Sequence, residues 1–131
     1  MHYIWCSWWR RNLMDTSSPQ KIELVFYQTE SGNEPVRDWL VELPEEHRRA
    51  IGLDLMRVQY GWPIGMPLVR PMGKGLFEVR TNLADNTIAR VMFCFNAGEL
   101  YALHGFIKKA KKTPPPDLAL ARKRQKEIEN G

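Results

Sequence analysis

The chain reads as one α+β domain: a small, antiparallel-dominated sheet with a helical hairpin before it and a single helix after it. Three observations predict this. Residues 76–81, 87–95 and 99–108 are runs in which side-chain character alternates along the chain, separated by the turn signals Asp85-Asn86 and Asn96-Ala97-Gly98. Residues 36–58 carry apolar residues at helical spacing. Pro114-Pro115-Pro116 is a stiff start for a last helix reaching about Asn130.

Taken in order, residues 21–27 (KIELVFY) form the first expected strand, with Ile22, Leu24 and Phe26 on one face and Glu23, Val25 and Tyr27 on the other. Asn33 is the expected N-cap and Pro35 the first turn of a helix. Val36, Trp39, Leu40 and Leu43 recur at i, i+3, i+4 and i+7, which is one helical face. Pro44 opens a second helix with His47, Ile51, Asp54, Leu55 and Val58 on one side, Leu53 and Met56 widening the apolar surface, and Gly61 closing it. Residues 61–75 alternate Pro63, Pro67 and Pro71 with Gly61, Gly65, Gly73 and Gly75, and are expected to be an irregular connector within the domain. In the last helix Leu118, Ala121, Gln125 and Ile128 mark the inner face. Arg122, Lys123, Arg124 and Lys126 mark the outer one.

The 131 residues suit one domain over 21–131, preceded by a tail over 1–20. That tail holds Trp5, Trp8 and Trp9, and Arg10-Arg11 follow the aromatic residues rather than precede them, which is the wrong order for a secretory signal. It is expected to be an accidental or disordered extension without a function, with Met14 a workable start. No run of about 18 apolar residues occurs, so no membrane span is expected, and the protein is placed in the cytoplasm. Cys94 lies in an apolar run and reads as a reduced core residue, with no disulfide framework. His2, His47 and His104 are too scattered for metal spacing, so neither metal nor cofactor is expected.

The net charge of +4 is unevenly spread. Residues 104–126 hold eight Lys or Arg against one acid, Asp117, which leaves 11 basic and 14 acidic residues elsewhere. Local basicity of this kind suits a polyanion partner. Alternation places Leu76, Glu78 and Arg80 on one face of their strand. It groups Arg90 with Ile88, Met92 and Cys94, and His104 with Ala102, Phe106 and Lys108. If pairing aligns these faces, Arg80, Arg90, His104 and Lys108 converge; the register itself is not given by periodicity.

Gly75-Leu76-Phe77-Glu78-Val79-Arg80, followed by Leu103-His104-Gly105-Phe106-Ile107-Lys108-Lys109 and Lys112-Thr113-Pro114, form a combination with its own order and spacing. In these motifs the chain, from about Lys21 to Glu129, resembles the RelE/HigB superfamily of bacterial and phage type II toxins, in its phage-derived HigB-like branch. The resemblance implies a microbial RNase fold, binding at the ribosomal A site, cleavage of mRNA there, and a cognate helix-turn-helix antitoxin. By position it implies that Arg80 carries over a family arginine, and Lys108 and Lys109 the basic end of the last strand. A tyrosine that some relatives use near the C-terminus has no match after Tyr101.

RNA cleavage through the 2′-hydroxyl needs a base, cations for the phosphorane and an acid for the leaving oxygen. Arg80 and Arg90 suit the cationic role, because guanidinium binds phosphate bidentately; the competing reading pairs each with Glu78 or another acid on a solvated face. A histidine side chain can gain or lose a proton near neutrality, so His104 suits base or acid, or else is a hydrogen-bonded histidine that positions the strand end. His47, on a helix face, reads as structural. Lys108, Lys109, Lys111 and Lys112, with Arg70, Lys74, Arg122 and Lys123, suit a nucleic-acid backbone; the alternative is a solvated strand end that resists aggregation. Lys108 and Lys109 are also catalytic candidates. Two rival functions share the fold: a ParE-like inhibitor of DNA gyrase, and an inactive relative that only binds the antitoxin.

Overall fold

Alternation along residues 76–108 becomes a meander of three long strands, onto which the other described elements pack. The computed structural model describes residues 21–109 and 112–131; the tail expected over 1–20 lies outside the described residues. The elements run β1 (Leu24–Phe26), α1 (Pro35–Glu42), α2 (Glu45–Gly61), β2 (Val69–Gly73), β3 (Leu76–Asn82), β4 (Ile88–Asn96), β5 (Glu99–Lys108) and α3 (Pro115–Asn130). The sheet has five strands in the order β1-β5-β4-β3-β2. β1 is parallel to β5, and every other pair is antiparallel. The α+β class therefore holds.

β1 is shorter than the expected 21–27, yet its pairing runs past both ends. Leu100 N–H donates to the Glu23 carbonyl and Tyr27 N–H to the Ala102 carbonyl, each at 2.9 Å. The helix after it starts without a side-chain cap. Glu34, not Asn33, is the N-cap residue, and Asn33 instead closes the preceding loop through Thr29. The connector expected to be irregular contains an edge strand, β2. Proline is tolerated there because the outer edge needs no N–H donor. Its turn runs through Gly73, Lys74 and Gly75, all at positive φ (91°, 54° and 82°), which two glycines accommodate.

The sheet separates two cores. On one face α1 packs against β5 and α2 against β3. Val36, Leu40, Ile51, Leu55 and Val58 meet Val69, Val79, Val91, Phe93, Leu100 and Ala102 there. Leu53 does not join them; it is exposed. The other face, under α3, holds Tyr27, Leu76, Met92, Cys94, Leu103, Phe106 and Ala121. Cys94 is a free, buried core residue, and burial pushes its thiol up to about 12, so it is inert. The β4–β5 pairing shifts between Met92 and Phe93. This bulge puts Leu103 in the core under α3 and Ala102 in the opposite core, so Ala102 does not share the His104 face as alternation predicts.

Gly105 lets α1 approach β5. A Cβ built on it would lie 2.4 Å from the Trp39 ring. Gly105→Ala is therefore expected to cost about 1–3 kcal/mol, the range for forced overpacking. A urea melt checks this; an unchanged midpoint would contradict the close approach.

α3 is held largely by polar contacts. Arg122 donates to the Met72 and Gly73 carbonyls, each at 2.7 Å, and Arg124 to the Leu103 carbonyl at 2.8 Å. Gln125 donates to the Lys74 carbonyl at 2.8 Å, and Tyr27 to Glu127 at 2.6 Å. Arg122 and Arg124 thus turn back onto the sheet rather than standing on a solvent face; Lys123 and Lys126 are the exposed ones.

Candidate functional site

The register places the charged residues of the meander in rows across the face under α3. Arg70 of β2 is opposite Glu78 of β3, Glu78 opposite Met92 of β4, and Met92 opposite His104 of β5. In the next row Arg80 is opposite Arg90, and Arg90 opposite Phe106. Ile88 pairs with Lys108 one row further. Directly opposed residues share a face, so Arg80, Arg90, His104 and Lys108 stand on one sheet face, as alternation allowed, and Arg70 of the edge strand joins them.

Asp117 binds two of them. Its carboxylate lies 2.6 Å from His104 Nε2 through one oxygen and accepts from Lys108 Nζ at 3.1 Å through the other. It sits in the first turn of α3, where a negative charge is also favoured by the helix dipole. Partial burial works to raise the Asp117 carboxyl, but the hydrogen bonds from His104 and Lys108 outweigh it and hold the group below its ordinary range. The His104 ring stacks on Phe106 at 5.6 Å, and Lys108 and Arg90 lie 5.6 and 5.7 Å from the centroid of the same ring.

A carboxyl with a lowered folded pKa stabilises the fold above its unfolded value, near 3.8, and loses that contribution as pH falls through the lowered one. Wild-type protein and Asp117→Asn are therefore expected to differ most in unfolding free energy above about pH 4 and to converge in stronger acid. Urea melts across pH 2–7 check this. A constant gap would contradict the ionised bridge.

Beneath this surface lies a buried ionic layer. Arg90 is 0% exposed and Glu78 is 0% exposed. Burial pulls the Arg90 guanidinium below its ordinary value, Glu78 opposes that, and neighbouring Arg80 and Arg70 add to it. Arg90 also donates to the Lys112 carbonyl at 3.4 Å. Arg80 Nη1 is 3.6 Å from Glu78 Oε1, and Thr113 Oγ1 donates to Glu78 Oε2 at 2.5 Å. The pairing with Glu78 that competes with a functional reading of Arg80 is thus real, although 19% of the Arg80 side chain stays exposed to solvent.

The other basic candidates divide. Lys112 is exposed beside the site, and Lys109 lies in a bend just past β5, also exposed. Lys111 is outside the described residues. Lys74 is in the β2–β3 turn, at the opposite end of the sheet from Lys108, and Arg122 is bonded to the same hairpin. Lys123 is exposed on α3. Reading the sequence missed Asp117 as a member of the site. Its signal was available: it is the one acid among eight basic residues in 104–126. The Thr113 hydroxyl is bound to Glu78, and the N-cap residue of α3 is Pro114.

Among the described residues no group of three His, Cys, Asp or Glu is placed to hold a metal, and no helix is long and apolar enough to cross a membrane. The arrangement offers one imidazole oriented by a carboxylate, an ammonium, and guanidiniums on the same face, which is the equipment for binding and polarising a phosphodiester. None of the curated proteins compared with the chain matches it. Residues 38–126, more than half of the chain, match the family described as phage-derived protein Gp49-like. The chain belongs to that family, a toxin-like family of the RelE/HigB type.

Proposed function

We propose that the protein is the toxin of a type II toxin–antitoxin pair, of the HigB-like branch, and that it cleaves mRNA in the ribosomal A site. One observation carries the reading: Arg80, Arg90, His104 and Lys108 stand on one sheet face, with Asp117 bonded to both His104 and Lys108. Family membership supports the toxin role and an antitoxin partner.

In this reading the hydrogen bond from Nε2 to Asp117 fixes the His104 tautomer and leaves Nδ1 with the lone pair. Nδ1 takes the proton of the 2′-hydroxyl as that oxygen attacks the adjacent phosphorus. Asp117 stabilises the imidazolium that forms. Arg80 and Lys108 bind the non-bridging oxygens as negative charge builds on the phosphorane, and buried Arg90 adds a fixed positive charge beneath them. Lys108 is the acid candidate for the departing 5′-oxygen. Lys109, Lys111, Lys112, Arg70 and Lys123 hold the flanking RNA backbone by charge, and Lys74 adds a further cation near the other end of α3, while Arg122 braces the hairpin that carries it. The ribosome supplies the orientation of the scissile nucleotide, so the protein needs few groups of its own. The site of action is the cytoplasm, where the cognate helix-turn-helix antitoxin covers the toxin until it is released.

The test follows macromolecular synthesis after induction of the toxin in the absence of its antitoxin. Incorporation of labelled methionine is expected to stop first, with thymidine incorporation following. DNA synthesis stopping first would point to gyrase as the target. Growth without arrest would leave only an antitoxin-binding relative.

A further inference from the structure

Arg80 and Arg90 stand directly opposite one another in the β3–β4 ladder, which is an unfavourable place for two like charges. Glu78 stands two residues before Arg80 on the same face and is buried completely. One of its oxygens faces Arg80 Nη1 at 3.6 Å, and the other accepts the Thr113 hydroxyl at 2.5 Å. Arg70 is its direct neighbour across β2. Two adjacent residues just before α3 are tied to this layer, Lys112 by its carbonyl to Arg90 and Thr113 by its hydroxyl to Glu78. A buried carboxylate costs free energy unless charge and hydrogen bonds offset it, and here both come from groups that border the proposed cleavage site.

We infer that Glu78 is a positioning residue: the buried carboxylate that fixes Arg80 and Arg90 side by side and anchors Thr113, just before α3, beside them. It touches no substrate, because it is fully enclosed; it acts through the two guanidiniums and Thr113. The inference rests on the nuclease reading for its kinetic consequence, but not for its structural one.

The test uses the full-length protein with Glu78→Gln, which keeps the shape and removes the charge, and with Thr113→Val, which removes only the hydrogen bond. The Nε–Hε signals of Arg80 and Arg90 are read by NMR, with half-exposed Arg49 on α2 as an internal reference. In wild-type protein both are expected to be distinct from Arg49. In Glu78→Gln, Arg80 is expected to move to the Arg49 position. On ribosome-bound mRNA, kcat of Glu78→Gln is expected to fall about 100-fold, the scale of a small misplacement of catalytic groups. KM is expected not to rise, since removing a negative charge beside the phosphate does not weaken RNA binding. A general loss of structure would raise KM and lower kcat together.

Unchanged arginine signals in Glu78→Gln, or a raised KM with kcat intact, would overturn the inference. If Glu78→Gln does not fold, Thr113→Val decides: shifted Arg80 signals support the inference and unshifted ones overturn it. If wild-type protein cuts no RNA, the nuclease reading fails, and the arginine signals alone decide the role of Glu78.

Discussion

Arg90→Ala is expected to lose about 3–5 kcal/mol of folding free energy, the scale for removing one partner of a buried charge pair. The guanidinium is 0% exposed in the centre of the sheet, and Glu78, also 0% exposed, opposes the effect of burial on it. Truncation leaves that carboxylate with less compensation, frees the Lys112 carbonyl and opens a void beside Phe106. A loss of this size is a large part of the stability of a domain this long, so a failure to accumulate in cells is the first sign. Urea melts of the surviving protein give the magnitude. Arg80→Ala makes the contrast. Its side chain is partly exposed, so it is expected to keep the fold and lose activity. Were both variants equally stable, the buried ionic layer would not be what holds the centre of the sheet.

His104→Gln is expected to reduce mRNA cleavage by about 10²–10⁴-fold, the range for loss of a general acid or base. Glutamine can still donate to Asp117, so the tie between β5 and α3 survives and the melting temperature changes little. What disappears is the imidazole ring. Single-turnover cleavage at saturating ribosome complex separates this chemical defect from weaker binding. Lys108→Ala, which removes an exposed cation from the same carboxylate, is expected to weaken RNA binding and to flatten its dependence on salt. If His104→Gln cleaves at the wild-type rate, the imidazole is a structural strut and another group moves the proton.

Much of this site was legible in the sequence because alternation reports faces. Arg80, Arg90, His104 and Lys108 each fall at the right parity, and antiparallel pairing through two short turns brings like parities together. Parity failed at Ala102, since a bulge at the β4–β5 pairing resets the faces and nothing local in the residues announces it. β2 was hidden by its prolines and glycines, which mark turns in general but are compatible with an edge strand that pairs on one side only. The burial of Glu78 was not legible either. A charged residue at an alternating position looks solvated until distant parts of the chain cover it, and Thr113, which binds Glu78, lies 35 residues later. For the same reason Arg122 looked like a solvent-facing cation, when its reach takes it to two carbonyls of the β2–β3 hairpin.

Primer extension on a defined mRNA, incubated with the purified protein in the presence and absence of translating ribosomes, separates a ribosome-dependent nuclease from the gyrase inhibitor. Discrete cuts at fixed positions within codons, present only with ribosomes and lost in His104→Gln, are the expected result. An uncut message in both conditions, from a protein that still arrests growth, would contradict the nuclease account and move the search to gyrase supercoiling.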